Sequence, residues 1–292
     1  KALQEVGLDI YSVSGRGYKL AHQISLFDKS ALLQALPGYN EEQLHLLHVT
    51  ESTNDYLKQQ IHLDNKLRLQ NGTICMAEAQ TAGRGRQGKK WVSPFGCSLY
   101  CSMYWEFEGG YQSISGLSLA VGLAVVRAIQ ELGEVDVGLK WPNDVYSHGK
   151  KLAGILIDVE GHMHGSCQSI IGIGLNMSIP ENVDEISQPW TDLQQMLGKA
   201  PDKNQLAGNL IRQLNAILTL FENSGLKPFV DEWNQLDIFR GKEVKLLTGK
   251  NAIAGIGKGI DDSGALKLEM MDDTGNRVTR SFFGGEISVR SA

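Results

Sequence analysis

Gly83-Arg84-Gly85-Arg86-Gln87-Gly88-Lys89-Lys90-Trp91 is the stretch around which the rest of the sequence is organised; it interleaves three glycines with four cationic side chains. The chain as a whole carries a formal net charge of -5, so this stretch concentrates positive charge locally. Glycines leave the backbone able to bend closely round a ligand, and Arg presents a planar fork of donors that suits phosphate or carboxylate. Because like charges repel, the pattern predicts a mobile lid that closes over an anionic ligand.

The same glycines also spell G-x-G-x-x-G, and Glu106 lies near the acidic position expected of a dinucleotide-binding fold. That motif has meaning only where a strand precedes the glycines and a helix starts on them. Residues 74–78 are compatible with the strand, but Ser93-Pro94-Phe95-Gly96 and a strand-like run over 98–105 follow. A helix cannot start there, so the dinucleotide interpretation is disfavoured.

Two other interpretations of the loop concern its charge. General nucleic-acid binding is disfavoured because an acidic chain lacks the broad basic field that such binding uses. A solvated loop with no ligand is the remaining alternative, although clustered Arg and Gly without paired acids are unusual in such a loop.

Composition describes an ordinary globular protein. The 292 residues suffice for a full core and more than one domain, with 42% hydrophobic and 21% charged residues. No secretory signal peptide opens the sequence. The most apolar segment, residues 114–132, is interrupted by Ser115, Gly116, Ser118 and Arg127, which predicts a buried helix and no membrane span.

The cysteines argue against a metal knuckle or a disulfide framework, because none shows C-x-x-C spacing. We expect reduced thiols in a cytoplasmic protein and no resident metal site. The four residues are Cys75, Cys97, Cys101 and Cys167.

The first residue is Lys1 and not Met, so the chain is expected to begin inside a longer protein. Residues 1–6 are typical of a helix end, and residues 10–13 and 18–20 predict a hairpin with a basic tip. This combination fits the end of a winged helix-turn-helix module, and it fits the N-terminal arm of a single domain equally well.

The segment before the glycine-rich stretch predicts a strand over 46–49 and then a helix, since Tyr56, Leu57, Gln60 and Ile61 keep helical spacing. Ser52 or Thr53 is the natural N-cap of that helix, and hydroxyls at a helix start also favour anions. Capping alone would explain both residues.

Residues 135–141 predict a strand that runs into Pro142-Asn143-Asp144, and residues 152–159 predict its antiparallel neighbour. The connection between them should bring Asn143, Asp144 and Lys151 together. A further buried strand over 169–176 contains glycines that allow the close approach of a flat group. Residues 206–221 then predict a long amphipathic helix that ends at Gly225.

From Gly241 the pattern changes to short strands over 244–247, 252–256, 266–269 and 277–279, separated by turns rich in Asp and Gly. Such evenly spaced strands predict a small β-barrel.

Together these motifs resemble the bacterial bifunctional biotin–protein ligase and biotin-operon repressor family over the whole chain. The matching pieces are Glu51-Ser52-Thr53-Asn54, Gln80, Ala82-Gly83-Arg84-Gly85-Arg86, Trp91, Lys140-Trp141-Pro142-Asn143-Asp144, Lys151-Leu152-Ala153-Gly154 and Gly172-x-Gly174-x-Asn176. The resemblance implies an α+β fold with three parts. These are a remnant of a winged helix-turn-helix domain (1–21), a ligase domain with a central mixed β-sheet of the class II synthetase type (22–240) and an SH3-like β-barrel (241–292).

The resemblance also implies the activity. The biotin carboxylate attacks the α-phosphate of ATP, with Mg²⁺ as cofactor, to give biotinyl-5′-AMP, and a lysine of the biotin carboxyl carrier protein of acetyl-CoA carboxylase then accepts the biotin. It further implies a homodimer when biotinyl-AMP is bound, no membrane partner, and biotin-responsive repression by the full-length parent. Because most of the helix-turn-helix module is missing, we expect this chain itself to bind no operator DNA.

The roles that the resemblance assigns fall into three groups. The catalytic group is Lys151, Asp144, Arg84 and Arg86; the biotin-binding group is Ser52, Thr53, Asn54, Gln80, Gly83, Arg84, Gly85, Arg86 and Lys151; the nucleotide-binding group is Trp91, Asn143, Asn176 and Trp190. The cations would neutralise a carboxylate and a triphosphate that repel each other. Asp144 would either help to place Mg²⁺ or orient the acceptor lysine.

Two alternatives follow from the same residues. A lipoate or other acyl–protein ligase would want an apolar head-group pocket in place of Ser52, Thr53 and Gln80. A DNA-binding regulator that only senses its ligand would not need both Lys151 and Asp144.

Overall fold

The computed structural model describes residues 8, 10–20, 24–63, 69–161, 165–180, 183, 185–248, 251–283 and 287–291. The predicted helix end at residues 1–6 lies outside them. In chain order the elements are β1 (Ile10–Val13), β2 (Gly17–Leu20), α1 (Lys29–Ala35), β3 (Leu44–Thr50), α2 (Thr53–His62), β4 (Ile74–Gln80), β5 (Ser98–Phe107), α3 (Leu117–Gln130), β6 (Gly138–Lys140), β7 (Asp144–Ser147), β8 (Lys150–Gly161), β9 (Cys167–Asn176), α4 (Leu193–Leu197), α5 (Lys203–Ser224), α6 (Val230–Leu236), β10 (Glu243–Thr248), β11 (Asn251–Ile260), β12 (Leu266–Met271), β13 (Arg277–Phe282) and β14 (Ile287–Ser291).

A seven-stranded mixed sheet in the order β3-β4-β5-β9-β8-β7-β6 forms the centre of the fold, as predicted. Only β3 and β4 pair in parallel; β5 and β9 pair antiparallel along their whole length, from Ser98↔Asn176 to Phe107↔Cys167. Strands β6, β7 and β8 follow each other as an antiparallel meander. The predicted direct pairing of residues 152–159 with residues 135–141 is therefore wrong, because Asp144–Ser147 forms a strand between them. This meander brings Asp144 and Lys151 onto neighbouring strands.

The two faces of the sheet are covered by different helices. Because successive side chains of a strand point to opposite faces, Cys75, Tyr104 and Ile170 pack with Leu57 of α2 on one side. The side chains next to them, including Met76, Met103 and Ile171, join the main core with α3 and α5 on the other side. Helix α2 is thereby fixed with its first turn beside the ends of the central strands.

Helix α3 is the buried helix predicted for the most apolar segment. Residues Gly110–Gln130 are long and apolar enough to cross a membrane by length and composition alone. Most side chains of α3 are nevertheless buried inside the fold, where the helix packs on α5 and on β7 and β8. The helix begins three residues later than predicted, because Gly116 adopts a left-handed conformation with φ of 79°.

The C-terminal part is a five-stranded antiparallel sheet in the order β13-β12-β11-β10-β14. The sequence predicted four of these strands and missed β14, as well as the short helices α4 and α6. Asn234 of α6 holds the sheet to the rest of the molecule: its Oδ1 accepts from the Ile260 amide at 2.7 Å and its Nδ2 donates to the Ile260 carbonyl. The indole of Trp141 adds a bond to the Gly264 carbonyl at 3.0 Å.

The predicted N-terminal hairpin is present as β1 and β2, with register from Ile10↔Leu20 to Val13↔Gly17. Residues 24–28 then reach the central sheet, where the Phe27 amide donates to Oε1 of Glu78 on β4 at 2.7 Å. Glu78 also forms a fully buried ion pair with Lys203 at the start of α5.

Candidate functional site

A cavity of about 550 Å³ lies between the start of α2, the glycine-rich loop and the central strands β7, β8 and β9. Its volume falls in the range of small-molecule sites, roughly 300–1,000 Å³. Of the residues assigned a role from the sequence, all but Gly83 line it: Ser52, Thr53, Asn54, Gln80, Arg84, Gly85, Arg86, Trp91, Asn143, Asp144, Lys151, Asn176 and Trp190. The structure thus brings together residues that are more than a hundred positions apart in the sequence.

One end of the cavity is formed by the start of α2. Ser52 is its N-cap, as predicted, and its Oγ accepts from the Asp55 amide at 3.4 Å. Oε1 of Gln80 accepts from the amide of Thr53 at 2.9 Å and from its hydroxyl at 3.2 Å. Nε2 of Gln80 donates to Ser93 Oγ at 3.0 Å, so this amide joins the helix start to the segment after the loop.

Ser102 bonds to two residues of this polar end, and it was not identified from the sequence. Its hydroxyl lies 2.7 Å from Thr53 Oγ1 and 2.6 Å from Asn54 Oδ1, and it is fully buried. A Cβ on Gly172 would come within 2.3 Å of Asn54 Oδ1, so glycine is required there for the amide to fit. The sequence did contain a signal for this residue, because a serine within a mostly apolar strand is buried and needs hydrogen-bond partners.

The other end of the cavity carries charge. Nζ of Lys151 lies 2.7 Å from Oδ1 of Asp144, and the two side chains are only 14% and 17% exposed. The β7–β8 turn places them together, which confirms the predicted proximity. The same ammonium lies 5.3 Å from the ring centroid of Trp91.

Arg86 supplies a second cation at this end. Its Nη1 donates to Asn143 Oδ1 at 3.0 Å, while Asn143 Nδ2 donates to the Ile155 carbonyl at 2.8 Å. Burial lowers the pKa of Arg86, and the negative charge of Asp144 opposes that effect. The Asn143 amide therefore aims Arg86 toward the same region as Lys151.

The glycine–arginine loop, residues 83–91, is folded back on itself. Arg84 and Lys90 form an antiparallel bridge, the Gly85 amide donates to the Lys89 carbonyl at 2.6 Å, and the Trp91 amide donates to the Gly83 carbonyl at 2.9 Å. A Cβ on Gly83 would lie 2.5 Å from the Trp91 carbonyl oxygen, so the close crossing needs glycine.

The expectation that the loop's cations lack paired acids is wrong. Arg84 contacts Asp55 at 2.5 Å and Asp158 at 2.9 Å, and Lys90 contacts Glu185 at 3.1 Å. These acids lie on α2, on β8 and after β9, too far along the sequence for local inspection to pair them. The mobility of the loop stays a prediction.

The Trp91 indole fills the space that is open because Gly154 of β8 and Gly174 of β9 have no side chains. A Cβ on Gly174 would lie 2.3 Å from Trp91 Cε2, and one on Gly154 would lie 3.0 Å from Trp91 Cζ3. The flat group expected to approach these glycines is therefore the loop's own indole. Its Nε1 is buried, with no hydrogen-bond partner among the described residues.

Asn176 and Trp190 sit where a second loop meets β8. Asn176 Nδ2 donates to the Thr191 carbonyl at 2.9 Å, and the Lys151 amide donates to the Pro189 carbonyl at 3.0 Å. Asn176 thus has a structural task in holding the 189–191 segment against Lys151. The nucleotide-binding roles of Asn176 and Trp190 stay predictions.

The described part of the chain has no group of three or more His, Cys, Asp or Glu side chains that could hold a metal ion. The four cysteines are free thiols, and three of them are buried, Cys97 being the exception. Partial burial of Cys97 raises the pKa of its thiol to about 11.

Comparison with known proteins finds a match over most of the chain. The Biotin/lipoate A/B protein ligase family matches residues 46–176, and the Biotin protein ligase C terminal domain matches residues 239–290. The bifunctional ligase/repressor BirA of Escherichia coli is 42% identical over 294 residues, which cover all of this chain and 87% of that protein. The biotin--[acetyl-CoA-carboxylase] ligase of Mycobacterium tuberculosis is 32% identical over 225 residues, 75% of this chain and 80% of that protein.

Comparison with solved structures gives the same family. The biotin protein ligase from Aquifex aeolicus in complex with biotin and ATP superposes with a TM-score of 0.71 at 30% sequence identity, covering 85% of this chain and 99% of that one. The central mixed sheet and the C-terminal antiparallel sheet are the shared architecture.

Proposed function

The chain belongs to the biotin/lipoate A/B protein ligase family, and we propose that it is an ATP-dependent biotin–protein ligase. One observation carries the proposal: a single cavity joins a neutral polar end at Ser52, Thr53 and Gln80 to a cationic end at Lys151 and Arg86. This arrangement suits a ligand with a hydrogen-bonding head at one end and a carboxylate at the other, next to a nucleotide phosphate. The Mycobacterium tuberculosis relative and the Aquifex aeolicus structure, both named as biotin ligases, support the same assignment.

In the first step, a carboxylate oxygen of biotin bonds to the α-phosphorus of ATP while the bond from that phosphorus to the β-bridging oxygen breaks. The products are biotinyl-5′-AMP and pyrophosphate. Both reactants are anions, so most of the barrier is positioning and charge neutralisation. In this proposal Lys151 and Arg86 bind the carboxylate and the α-phosphate oxygens.

The head of biotin offers one carbonyl and two N–H groups, and Ser52, Thr53 and Gln80 supply hydroxyl and amide partners of matching type. Ser102, which is also bonded to Asn54, holds the Thr53 hydroxyl in place. The polarity of this end favours biotin over a lipoyl dithiolane, which would need an apolar lining.

In the second step, the amine nitrogen of an acceptor lysine bonds to the carbonyl carbon of the anhydride, AMP leaves, and the nitrogen loses a proton. The glycine–arginine loop and Trp91 would keep water away from the anhydride in the meantime. Asp144 already holds Lys151 and would either orient the acceptor amine or help to place Mg²⁺.

Mg²⁺ binds ATP mainly through phosphate oxygens and keeps several waters, so one protein carboxylate suffices for it. Asp144 fits that requirement. When bound with ATP, the ion would neutralise part of the phosphate charge, while Lys151 and Arg86 orient the reacting oxygens.

The finer assignments are those that the resemblance of the sequence implies. We propose as acceptor the biotin carboxyl carrier protein of acetyl-CoA carboxylase, and a homodimer when biotinyl-AMP is bound. We place the chain in the cytoplasm and assign the protein a role as biotin-responsive repressor, in line with relatives named as bifunctional ligase/repressor. We further propose the division into a wing hairpin (1–21), a ligase domain (22–240) and an SH3-like barrel (241–292).

ATP–pyrophosphate exchange tests the function, with biotin and lipoate compared side by side. We expect exchange that depends on biotin and is at background with lipoate. Exchange with lipoate but not with biotin would replace this proposal with an acyl–protein ligase of the same family. No exchange with either ligand would favour a protein that only senses its ligand.

A further inference from the structure

Arg84 differs from the other cations of the glycine–arginine loop in its surroundings. Its Nη2 lies 2.5 Å from Oδ1 of Asp55 and 2.9 Å from Oδ2 of Asp158. Asp55 belongs to the first turn of α2, and Asp158 to the middle of β8. One guanidinium therefore ties the loop to a helix and to a central strand at the same time.

The Asp158 carboxylate and the backbone of Asp55 each have a second partner besides Arg84. Oδ2 of Asp158 also accepts from Asn54 Nδ2 at 3.0 Å, and Asn54 is bonded in turn to the buried Ser102. The backbone amide of Asp55 bonds to the N-cap Ser52. Because these partners form the polar end of the cavity, the position of Arg84 is coupled to the place where a ligand head would bind.

The charge balance distinguishes Arg84 from Arg86. Burial acts to lower the pKa of Arg84, but Asp158 and Asp55 outweigh it and hold that pKa above its usual value. Two carboxylates more than compensate one guanidinium, so Arg84 adds no net positive charge for an incoming phosphate. Arg86 donates to the neutral amide of Asn143; burial lowers its pKa, and the negative charge of Asp144 opposes that effect without outweighing it.

Fixing Arg84 fixes the rest of the loop. Arg84 pairs with Lys90 in an antiparallel bridge, and the next residue, Trp91, is bonded through its amide to Gly83. The indole of Trp91 in turn lies on Gly174 inside the cavity. An anchor at Arg84 thereby sets where Trp91 sits.

We propose that Asp55 and Asp158 are positioning residues that clamp the glycine–arginine loop over the cavity through Arg84, which acts by this clamp and not by contact with substrate. The role departs from the direct catalytic and biotin-binding role that the sequence assigned to Arg84. The kinetic consequence rests on the proposed ligase function; the structural consequence does not.

The first test needs no ligand. Trypsin cleaves after the four basic residues of the loop, and cleavage of a folded protein tracks the population of the opened loop. Asp158→Asn, Asp55→Asn and the double variant keep side-chain size and remove charge. We expect the double variant to be cleaved in the loop about fivefold faster than the parent, as suits partly exposed ion pairs.

Glu160→Gln is the matched control. Glu160 lies on the same strand and forms an ion pair with Lys58 of the same helix, but it does not touch Arg84. Trypsin should cleave the glycine–arginine loop of the Glu160→Gln variant at the parental rate. Thermal unfolding of every variant separates loop opening from global instability, and Asp158→Glu should restore part of the protection.

The second test uses pyrophosphate exchange. We expect the Asn variants to raise KM for biotin about fivefold with a smaller effect on kcat, since the loop is mispositioned but the reacting groups stay in place. Parental cleavage rates in the double variant would overturn the clamp. So would an Arg84→Gln variant that loses kcat as severely as Lys151→Ala, because that would show contact with the reacting atoms. Faster cleavage without any biotin-dependent exchange in the parent would keep the clamp and reject the ligase function.

Discussion

The ammonium group of Lys151 lies 2.7 Å from Oδ1 of Asp144, in a cavity where both side chains are less than one-fifth exposed. The turn between β7 and β8 makes this contact, and the pairing of the Lys151 amide with the Pro189 carbonyl fixes its backbone. A charged pair held in this way needs little rearrangement when an anionic ligand arrives, which is the preorganisation that electrostatic catalysis requires.

The packing of Trp91 on Gly174 gives the first prediction. Gly174→Ala would place a Cβ 2.3 Å from the indole and push Trp91 out of the cavity. Because small displacements near a reacting centre can lower rates about 100-fold, we expect a loss of that order in biotin-dependent exchange. The control is Gly165→Ala, where the new Cβ would meet nothing within 4 Å and activity should be unchanged. Equal rates of biotin-dependent exchange in the two variants would show that catalysis does not depend on the position of Trp91.

The buried pair of Glu78 and Lys203 gives a prediction about stability. Both side chains are almost completely buried, and burial lowers the pKa of Lys203 while Glu78 opposes that effect. Glu78→Gln leaves an unpaired buried ammonium and should lower the free energy of unfolding by about 3–5 kcal/mol. The double variant Glu78→Gln/Lys203→Met should recover most of that loss, because no buried charge remains. Urea unfolding measures both; a double variant as unstable as the single one would show that the ion pair itself is not the cause.

Asp237 gives a prediction about pH. Burial raises its pKa from 3.8 to about 6, against the lowering effects of the Phe239 amide, Arg240 and Lys242. The folded state then holds the proton more tightly than the unfolded state, so the contribution of Asp237 to stability is present below pH 3.8 and is lost as the pH rises to about 6.

Asp237→Asn removes the decrease in stability at higher pH, because the amide does not ionise. The Asn side-chain oxygen can still accept from the Phe239 amide. The difference in pKa corresponds to about 3 kcal/mol, so at pH 7 the variant should be more stable than the parent by up to about that amount. At pH 4 the two should be equally stable. Urea unfolding at both pH values checks the sign, and an Asn variant that is less stable at pH 7 would contradict it.

The sequence predicted most elements of this fold because their signals are local. Three examples depend only on residues close together in the chain: the N-cap at Ser52, helix α3, and the turn between Asp144 and Lys151. The sequence could not predict which remote acids meet Arg84, or that Trp91 fills the space above Gly174. Those contacts form only when α2, β8 and β9 come together, and no local pattern encodes their pairing.

Pyrophosphate exchange by Lys151→Ala, with biotin binding measured on the same preparation, tests the central claim most directly. Without Lys151 the charge on the reacting oxygens is not compensated in a partly desolvated cavity, so exchange should fall by at least about 1,000-fold. Biotin should still bind, since Ser52, Thr53 and Gln80 are unchanged. Near-parental exchange by this variant would contradict the assignment of Lys151 and, with it, the account of how this cavity activates biotin.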